Sequence, residues 1–271
     1  MSGSLLLAAA IATSLGEVRV DCANPGPWTF ALESSGATGG VETVRVTMRA
    51  ERESAPPKFA VAWFVPQTDV HHVWSSGSTH YGLPWNDPMC SELSSSMPVY
   101  SLLDADDNSR FAFACSESCR RVLFRCPVSE TKMGFSCSFE FFTVPEAPIR
   151  EYAVEIRLDS RRVFYGDAIG DAVAWIVRAA GIEPLRSPEA AFEPLYSTWY
   201  DFHQDISAEG VERECRLAAG LGLKTVIVDD GWQIDLPLGN RPWNGYRYCG
   251  DWKPGRNFPD MAAHVKRVQG M

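Results

Sequence analysis

The run Val226-Ile227-Val228-Asp229-Asp230-Gly231-Trp232-Gln233 constrains this chain more than any other stretch. Three branched apolar residues lead straight into two carboxylates, a glycine and an indole. An unbroken branched run of this kind is expected to be a strand buried on both faces, as in a parallel sheet covered by helices. The carboxylates then lie at its C-terminal end, where parallel α/β folds carry their chemistry. Acceptors beside a flat aromatic suit a polyhydroxylated ring: the carboxylates take hydroxyl hydrogens and the indole covers the C–H face. The local pattern therefore points to carbohydrate chemistry.

The chain on either side has two characters. From about residue 17 to 165, short runs rich in β-branched and aromatic residues follow one another, at 18–20, 41–48, 59–65, 110–114, 121–126, 136–142 and 152–158. Several alternate in polarity, as Thr43-Val44-Arg45-Val46-Thr47 and Ser138-Phe139-Glu140-Phe141 do. Turn residues such as Asn24-Pro25-Gly26-Pro27 separate them. Many short strands at this spacing predict a β-sandwich. Residues 167–180 place small and apolar side chains at helical spacing and are expected to form a connecting helix, with 181–188 as a linker.

After Pro184 the pattern changes. An aromatic-rich strand is expected over 195–202, then a helix over 207–223 with Val211, Cys215, Ala218 and Gly222 on one face. Glu209, Glu212 and Glu214 load its first half with acid, which suits the positive end of a helix. A strand over 225–230, a long loop and a second helix from Pro259 follow, with Pro259 suited to a first-turn position. Strand, helix, strand, loop, helix amounts to two βα units. The expected organisation is multidomain, β followed by α/β: a β-sandwich over 1–166, a linking helix and linker over 167–188, and the start of a (β/α)8 TIM barrel over 189–271. Two units cannot close a barrel that needs eight, so the sequence is read as the front part of a longer protein.

Composition narrows the function classes. Hydrophobic content of 45% and charged content of 22% fit a globular protein. A net charge of −9 and the lack of any basic run argue against nucleic acid and anionic membranes as partners. The longest apolar run, residues 5–12, is too short to span a bilayer and reads as an ordinary first strand or helix. A signal peptide is the alternative, since Ala10-Ile11-Ala12 resembles a cleavage site, but no Lys or Arg precedes the run. A cytoplasmic protein with mostly reduced thiols is expected. Cys115 and Cys119, the most closely spaced of the eight cysteines, have no His near them in sequence, so no zinc site is expected.

Candidate site residues cluster after the two barrel strands. Asp229 and Asp230 are neighbours and point to opposite faces on an extended strand, but a turn at the strand end can bring both to one pocket. The alternative is that one caps the next helix and the other faces solvent. Trp199 and Tyr200 lie in Ser197-Thr198-Trp199-Tyr200-Asp201-Phe202-His203-Gln204, at the end of the preceding strand, and are expected beside the two aspartates. Core packing is the competing role for Trp199, and His203 and Gln204 read as polar loop residues. Trp252, in the loop 244–254, either walls a sugar pocket or covers helix ends. In the β half, Asp69-Val70-His71-His72-Val73-Trp74 and Gly82-Leu83-Pro84-Trp85-Asn86-Asp87 stand out. Adjacent His71 and His72 alternate faces in a strand, so they are not a metal pair. No phosphate loop, nucleophile elbow or zinc-helix motif is present, and no cofactor is expected.

Four blocks carry a resemblance: Tyr196-Ser197-Thr198-Trp199-Tyr200, Val228-Asp229-Asp230-Gly231-Trp232-Gln233, Gly250-Asp251-Trp252 and Phe258-Pro259-Asp260-Met261. With these the chain resembles the α-galactosidases of glycoside hydrolase family 36, strongly over residues 192–268. The β half matches in general character. The resemblance implies an N-terminal β-supersandwich, a (β/α)8 catalytic barrel and a C-terminal β domain. It implies hydrolysis of terminal α-galactosyl groups of oligosaccharides with retention, using one Asp as nucleophile and another as acid/base. Those carboxylates belong to the fourth and sixth strands, beyond the two units here, so they are expected past residue 271 and this piece alone should be inactive. What carries over is substrate binding. Asp229 and Asp230 would accept hydrogen bonds from galactose hydroxyls and Trp199 would line the same subsite, with Trp74 or Trp85 as a tryptophan reaching in from the N-terminal domain. A galactosyltransferase of the raffinose-synthase type and a noncatalytic sugar-binding protein are the rival readings. A homo-oligomer of the full-length protein stays open.

Overall fold

A computed structural model describes residues 6–76, 88–93, 95–239, 250 and 252–271. The chain divides into two compact units, Met1–Glu183 and Pro184–Met271.

Alternation of polarity builds the first unit. In β4 (Val41–Ser54), Val44, Val46 and Met48 turn inward while Arg45 faces solvent and pairs with Glu155 at 3.3 Å. In β5 (Phe59–Pro66), Phe59, Val61, Trp63 and Val65 turn inward. Two seven-stranded, all-antiparallel sheets result among the described residues. One runs in the order β1 (Leu6–Thr13), β2 (Gly16–Cys22), β5, β12 (Gly134–Phe141), β10 (Val122–Arg125), β7 (Met89–Ser91), with β11 (Val128–Ser129) beside β12. The other runs β3 (Thr29–Ser34), β4, β13 (Ile149–Asp159), β9 (Asn108–Cys115), β8 (Val99–Leu103), β6 (His72–Ser75), with β14 (Val163–Phe164) beside β9.

The shared core of the two sheets is aromatic. Trp63 lies 4.9 Å from Phe113, Tyr100 stacks on Phe124 at 6.0 Å, and Phe59 stacks on Phe141 at 4.9 Å. Cys115, Cys126 and Cys137 fill gaps between these rings as small apolar groups. Burial pushes the Cys137 thiol up to about 12. The seven described cysteines form no disulfide among themselves. From Leu6 onward the apolar run belongs to β1, the strand alternative among its readings. Strands β3 and β8 lie outside the runs singled out in the sequence.

Helix α1 (Tyr165–Ala179) follows the last strand directly and lies on β8 and β9. Its buried face is Ala168, Ala172 and Ile176, spaced four apart, and the two alanines let it approach the sheet closely. Trp74, Met97 and Trp175 pack around this contact.

The second unit holds the α/β part. Strands β15 (Leu195–Ser197) and β16 (Thr225–Ile227) pair in parallel, with Tyr196 opposite Val226. Between them run α2 (Trp199–Phe202) and α3 (Ala208–Gly220); α4 (Met261–Gln269) comes last. Ser207 caps α3 by accepting from the Gly210 N–H at 3.2 Å, and Asp260 caps α4 by accepting from Ala263 at 2.9 Å. The core here is Ile206, Val211, Cys215 and Phe258, with Val226 and Val228 packed on it. Glu212 of α3 ties to α4, 2.9 Å from His264 Nδ1 and 2.8 Å from Arg267 Nη2.

Three expectations are corrected. The strand expected over 195–202 stops at Ser197, and residues 199–202 form a helical turn. The cause is loss of a pairing partner. Thr198 N–H makes the last ladder bond to Ile227 O at 3.1 Å, and the next group across, Asp229 N–H, donates to the Thr198 hydroxyl at 2.9 Å instead of to backbone. Second, the 226–228 run is buried on one face only: Val226 and Val228 face the core, while Ile227 is 45% exposed. Third, Pro259 precedes α4 rather than sitting in its first turn, because Asp260 takes the cap position. Both βα units are present; the remainder of a barrel is not visible in these residues.

Candidate functional site

The loops that leave β15 and β16 at their C-terminal ends are stitched together around Asp230. Gln204 Nε2 donates to Asp230 Oδ2 at 2.5 Å, and Gln233 Nε2 donates to Asp230 Oδ1 at 2.6 Å. The Gly231 N–H also donates to Oδ1, at 2.8 Å. Both glutamines are buried, so the carboxylate is gripped from below by two fixed amides. Asp230 is half-buried and Asp229 exposed. Asp229 Oδ1 accepts from the Asp230 N–H at 2.7 Å, which orients the two side chains relative to each other.

Gly231 is required at its position. Its φ of +111° lies where side chains are disfavoured, and a Cβ there would come 2.6 Å from the Gln204 carbonyl oxygen and 2.8 Å from its Cα. The missing side chain is what lets the β16 loop lie on the β15 loop. His203, just before Gln204, has φ 48° and ψ −124°, a strained backbone for a residue with a Cβ. The two loops are thus locked at cost, where the carboxylates are displayed.

Aromatic groups surround this point on the same elements. Trp199 is half-buried in α2, its ring edge-on to His203 with centroids 5.0 Å apart. Tyr200 is 88% exposed. Trp252 is 79% exposed, and its ring lies 6.0 Å from that of Trp232. Tyr196 donates its hydroxyl to Asp201 at 3.2 Å; burial, with the Asp201 charge, pushes that hydroxyl up to about 12. The 252–260 segment is anchored back to the β16 loop: Gly255 N–H donates to Trp232 O at 2.9 Å, and Arg256 Nε to Asp235 at 3.0 Å.

Of the residues singled out from sequence, Asp229 and Asp230 therefore share one loop, joined through Thr198 and Gln204 to the segment that carries Trp199. Trp252 lies against Trp232 of that loop. Trp74 belongs to the first unit, half-buried among the residues that seat α1. Trp85 and the stretch 240–249 lie outside the described residues. Gln204, read from sequence as a loop residue, is instead a partner of Asp230. No motif marks it, because the contact exists only where the two loops cross. Among the described residues no group of three His, Cys, Asp or Glu is placed to hold a metal ion, and no helix is long and apolar enough to cross a membrane.

No family model matches the sequence, and no curated protein matches it. Solved structures do. An alpha-galactosidase from Lactobacillus brevis superposes with a TM-score of 0.53 at 16% identity, over 98% of this chain and 39% of its own. The GH36 alpha-galactosidase AgaB from Geobacillus stearothermophilus gives 0.54 at 15% identity, over 97% of this chain and 39% of its own. AgaA from the same organism gives 0.54 at 16%, over 100% and 40%. The fold is that of the GH36 alpha-galactosidases. This chain spans about two-fifths of their length, a share consistent with an N-terminal portion. The GH36 likeness extends over both units, the antiparallel sandwich and the βα segment that holds Asp229 and Asp230.

Proposed function

We propose that this chain forms the front part of a retaining α-galactosidase-type glycoside hydrolase, and that the loops after β15 and β16 make one wall of its galactosyl subsite. The observation that carries the reading is the clamped pair at the end of β16. Asp230 is held by two buried amides and Asp229 stands exposed beside it, at the end of a parallel strand where barrel enzymes bind substrate. A carboxylate fixed in this way meets sugar hydroxyls without first losing side-chain freedom, which is how a preformed site gains affinity.

In this reading Asp229 and Asp230 accept hydrogen bonds from galactose hydroxyls. Trp199 and Trp252 offer apolar faces to the C–H side of the ring. The nucleophile and acid/base carboxylates would come from other barrel strands. The fold likeness supports an oligosaccharide substrate: AgaA variants were crystallised in complex with raffinose and with stachyose.

The test has two parts. Titration of this chain with D-galactose, followed by tryptophan fluorescence, should show saturable quenching that D-glucose does not reproduce and that Asp230→Ala abolishes. A version carrying the remaining barrel strands should release nitrophenol from a nitrophenyl α-galactoside. Release only when an acceptor sugar is added would make it a transferase, and binding without turnover would make it a lectin-like module.

A further inference from the structure

Two cysteines of the first unit face each other across a strand ladder, a relation independent of the sugar reading above. Strand β10 pairs with β12 in the register Leu123–Glu140, Phe124–Phe139, Arg125–Ser138. Further along, β11 pairs with the same strand as Val128–Phe135 and Ser129–Gly134. The two sets join without a slip, so the residues between them, Cys126 and Pro127, stand opposite Cys137 and Ser136. Pro127 has no N–H, which interrupts the bonds of the ladder and not its register. The Ser136 N–H keeps that register by donating to Pro127 O at 3.0 Å.

Hydrogen-bonded and non-hydrogen-bonded pairs alternate along an antiparallel ladder. Ser136 and Pro127 share a hydrogen bond, so Cys126 and Cys137 form a pair of the other, closer kind, with Cα atoms about 4.5 Å apart. A disulfide spans Cα separations of about 4.4–6.8 Å. Directly opposed residues also project to one face of a sheet, and here that face is the core: each cysteine is 1% exposed. Both are free thiols. Among the described residues no other strand cysteine stands opposite a cysteine: Cys22 faces Leu6, Cys90 faces Leu123 and Cys115 faces Ile156.

We propose that Cys126 and Cys137 are a redox-convertible pair, two thiols here, which a low-mass disulfide such as oxidised glutathione converts to a cross-strand bridge pinning β10 to β12. In the closed sandwich both stay protonated, since burial raises both thiols and the neighbouring Cys137 adds to the effect at Cys126. Exchange therefore begins when β10 lifts. Little holds it down: β10 has four residues, and β7, beyond it at the end of the sheet order, has three. One thiol then gives its proton to water, and the thiolate attacks a sulfur of the oxidant. The oxidant's S–S bond breaks and one glutathione leaves as thiolate. The second cysteine, also as thiolate, attacks the cysteine sulfur of the mixed disulfide; the bridge forms and the second glutathione leaves. The protein gives up two electrons and two protons, and the oxidant takes them up as two thiols. The bridge closes a loop over residues 127–136 and so removes freedom from the opened chain.

The experiment holds the 271-residue chain with oxidised glutathione in urea just below its unfolding midpoint, where the first unit opens and recloses, then removes both. Trypsin cuts after Arg125, Lys132 and Arg150, so digestion without reductant should yield residues 126–132 joined to residues 133–150. The bridged protein should melt about 5–10 °C above the reduced one, and dithiothreitol should reverse both changes. Cys115→Ala should keep the joined peptides and the higher midpoint, and Cys126→Ala should lose both. If Cys126→Ala does not fold, the wild-type peptide map and melts decide. Three results would overturn the proposal: the two peptides recovered only apart, either cysteine joined to a different cysteine of the chain, or a bridge that leaves the melting midpoint unchanged or lower.

Discussion

Gln204 Nε2 sits 2.5 Å from Asp230 Oδ2, joining the segment after the first parallel strand to the carboxylate after the second. A hydrogen bond to a charged group contributes about 1.5–3 kcal/mol. Gln204→Ala should therefore weaken galactose binding by about tenfold or more while leaving Asp230 in place. Fluorescence titration measures it, and an unchanged affinity would show that Asp230 needs no such support.

Gly231→Ala should be worse than its one added carbon suggests. The new Cβ would meet the Gln204 backbone within 3 Å at a φ of +111°. A loss of about 2 kcal/mol or more of stability is expected, with the clamp broken as well. Urea unfolding of the second unit would register this as a lower midpoint.

His203→Gly should act in the opposite direction. Glycine adopts φ 48°, ψ −124° without the clash that a Cβ brings there, so relief of strain should raise stability by about 1 kcal/mol. A lower unfolding midpoint would mean that the imidazole contact with Trp199 outweighs the strain.

The α3–α4 contact should be sensitive to acid. Hydrogen bonds from Arg267, then His264, hold the Glu212 carboxyl down at about 2, against an ordinary 4.5. The folded state thus favours the ionised form. Its contribution to stability is complete above about pH 4.5 and drains away as the pH falls towards 2. Thermal melts of the wild type between pH 6 and pH 3 should show this loss, and Glu212→Gln should flatten it. Equal slopes in the two proteins would assign the acid sensitivity to other carboxylates.

Much of this arrangement was legible in the residues. Alternation in 41–48 and 136–142 marks sandwich strands because each has one face in the core and one in water. The acid-rich start of α3 and the small-residue face of α1 were readable for the same kind of local reason. Strand β8, Val99-Tyr100-Ser101-Leu102-Leu103, was not, since all five residues are buried and no alternation survives. The helical turn at Trp199 was hidden too: it depends on where a strand nearly thirty residues away stops pairing. The aspartates could be picked out from their neighbours, but Gln204 as the group that grips one of them could not, because that contact exists only once two loops cross.

The thiols packed among the core rings have a practical use. Cys115, Cys126 and Cys137 lie wholly inside the sandwich, Cys215 inside the other unit, and Cys119 on the surface. An alkylating reagent would label Cys119 at once, and Cys115, Cys126, Cys137 and Cys215 only when their own unit opens. Mass spectrometry of the labelled peptides would then time the breathing of each half separately, with no engineered probe, in a single tube.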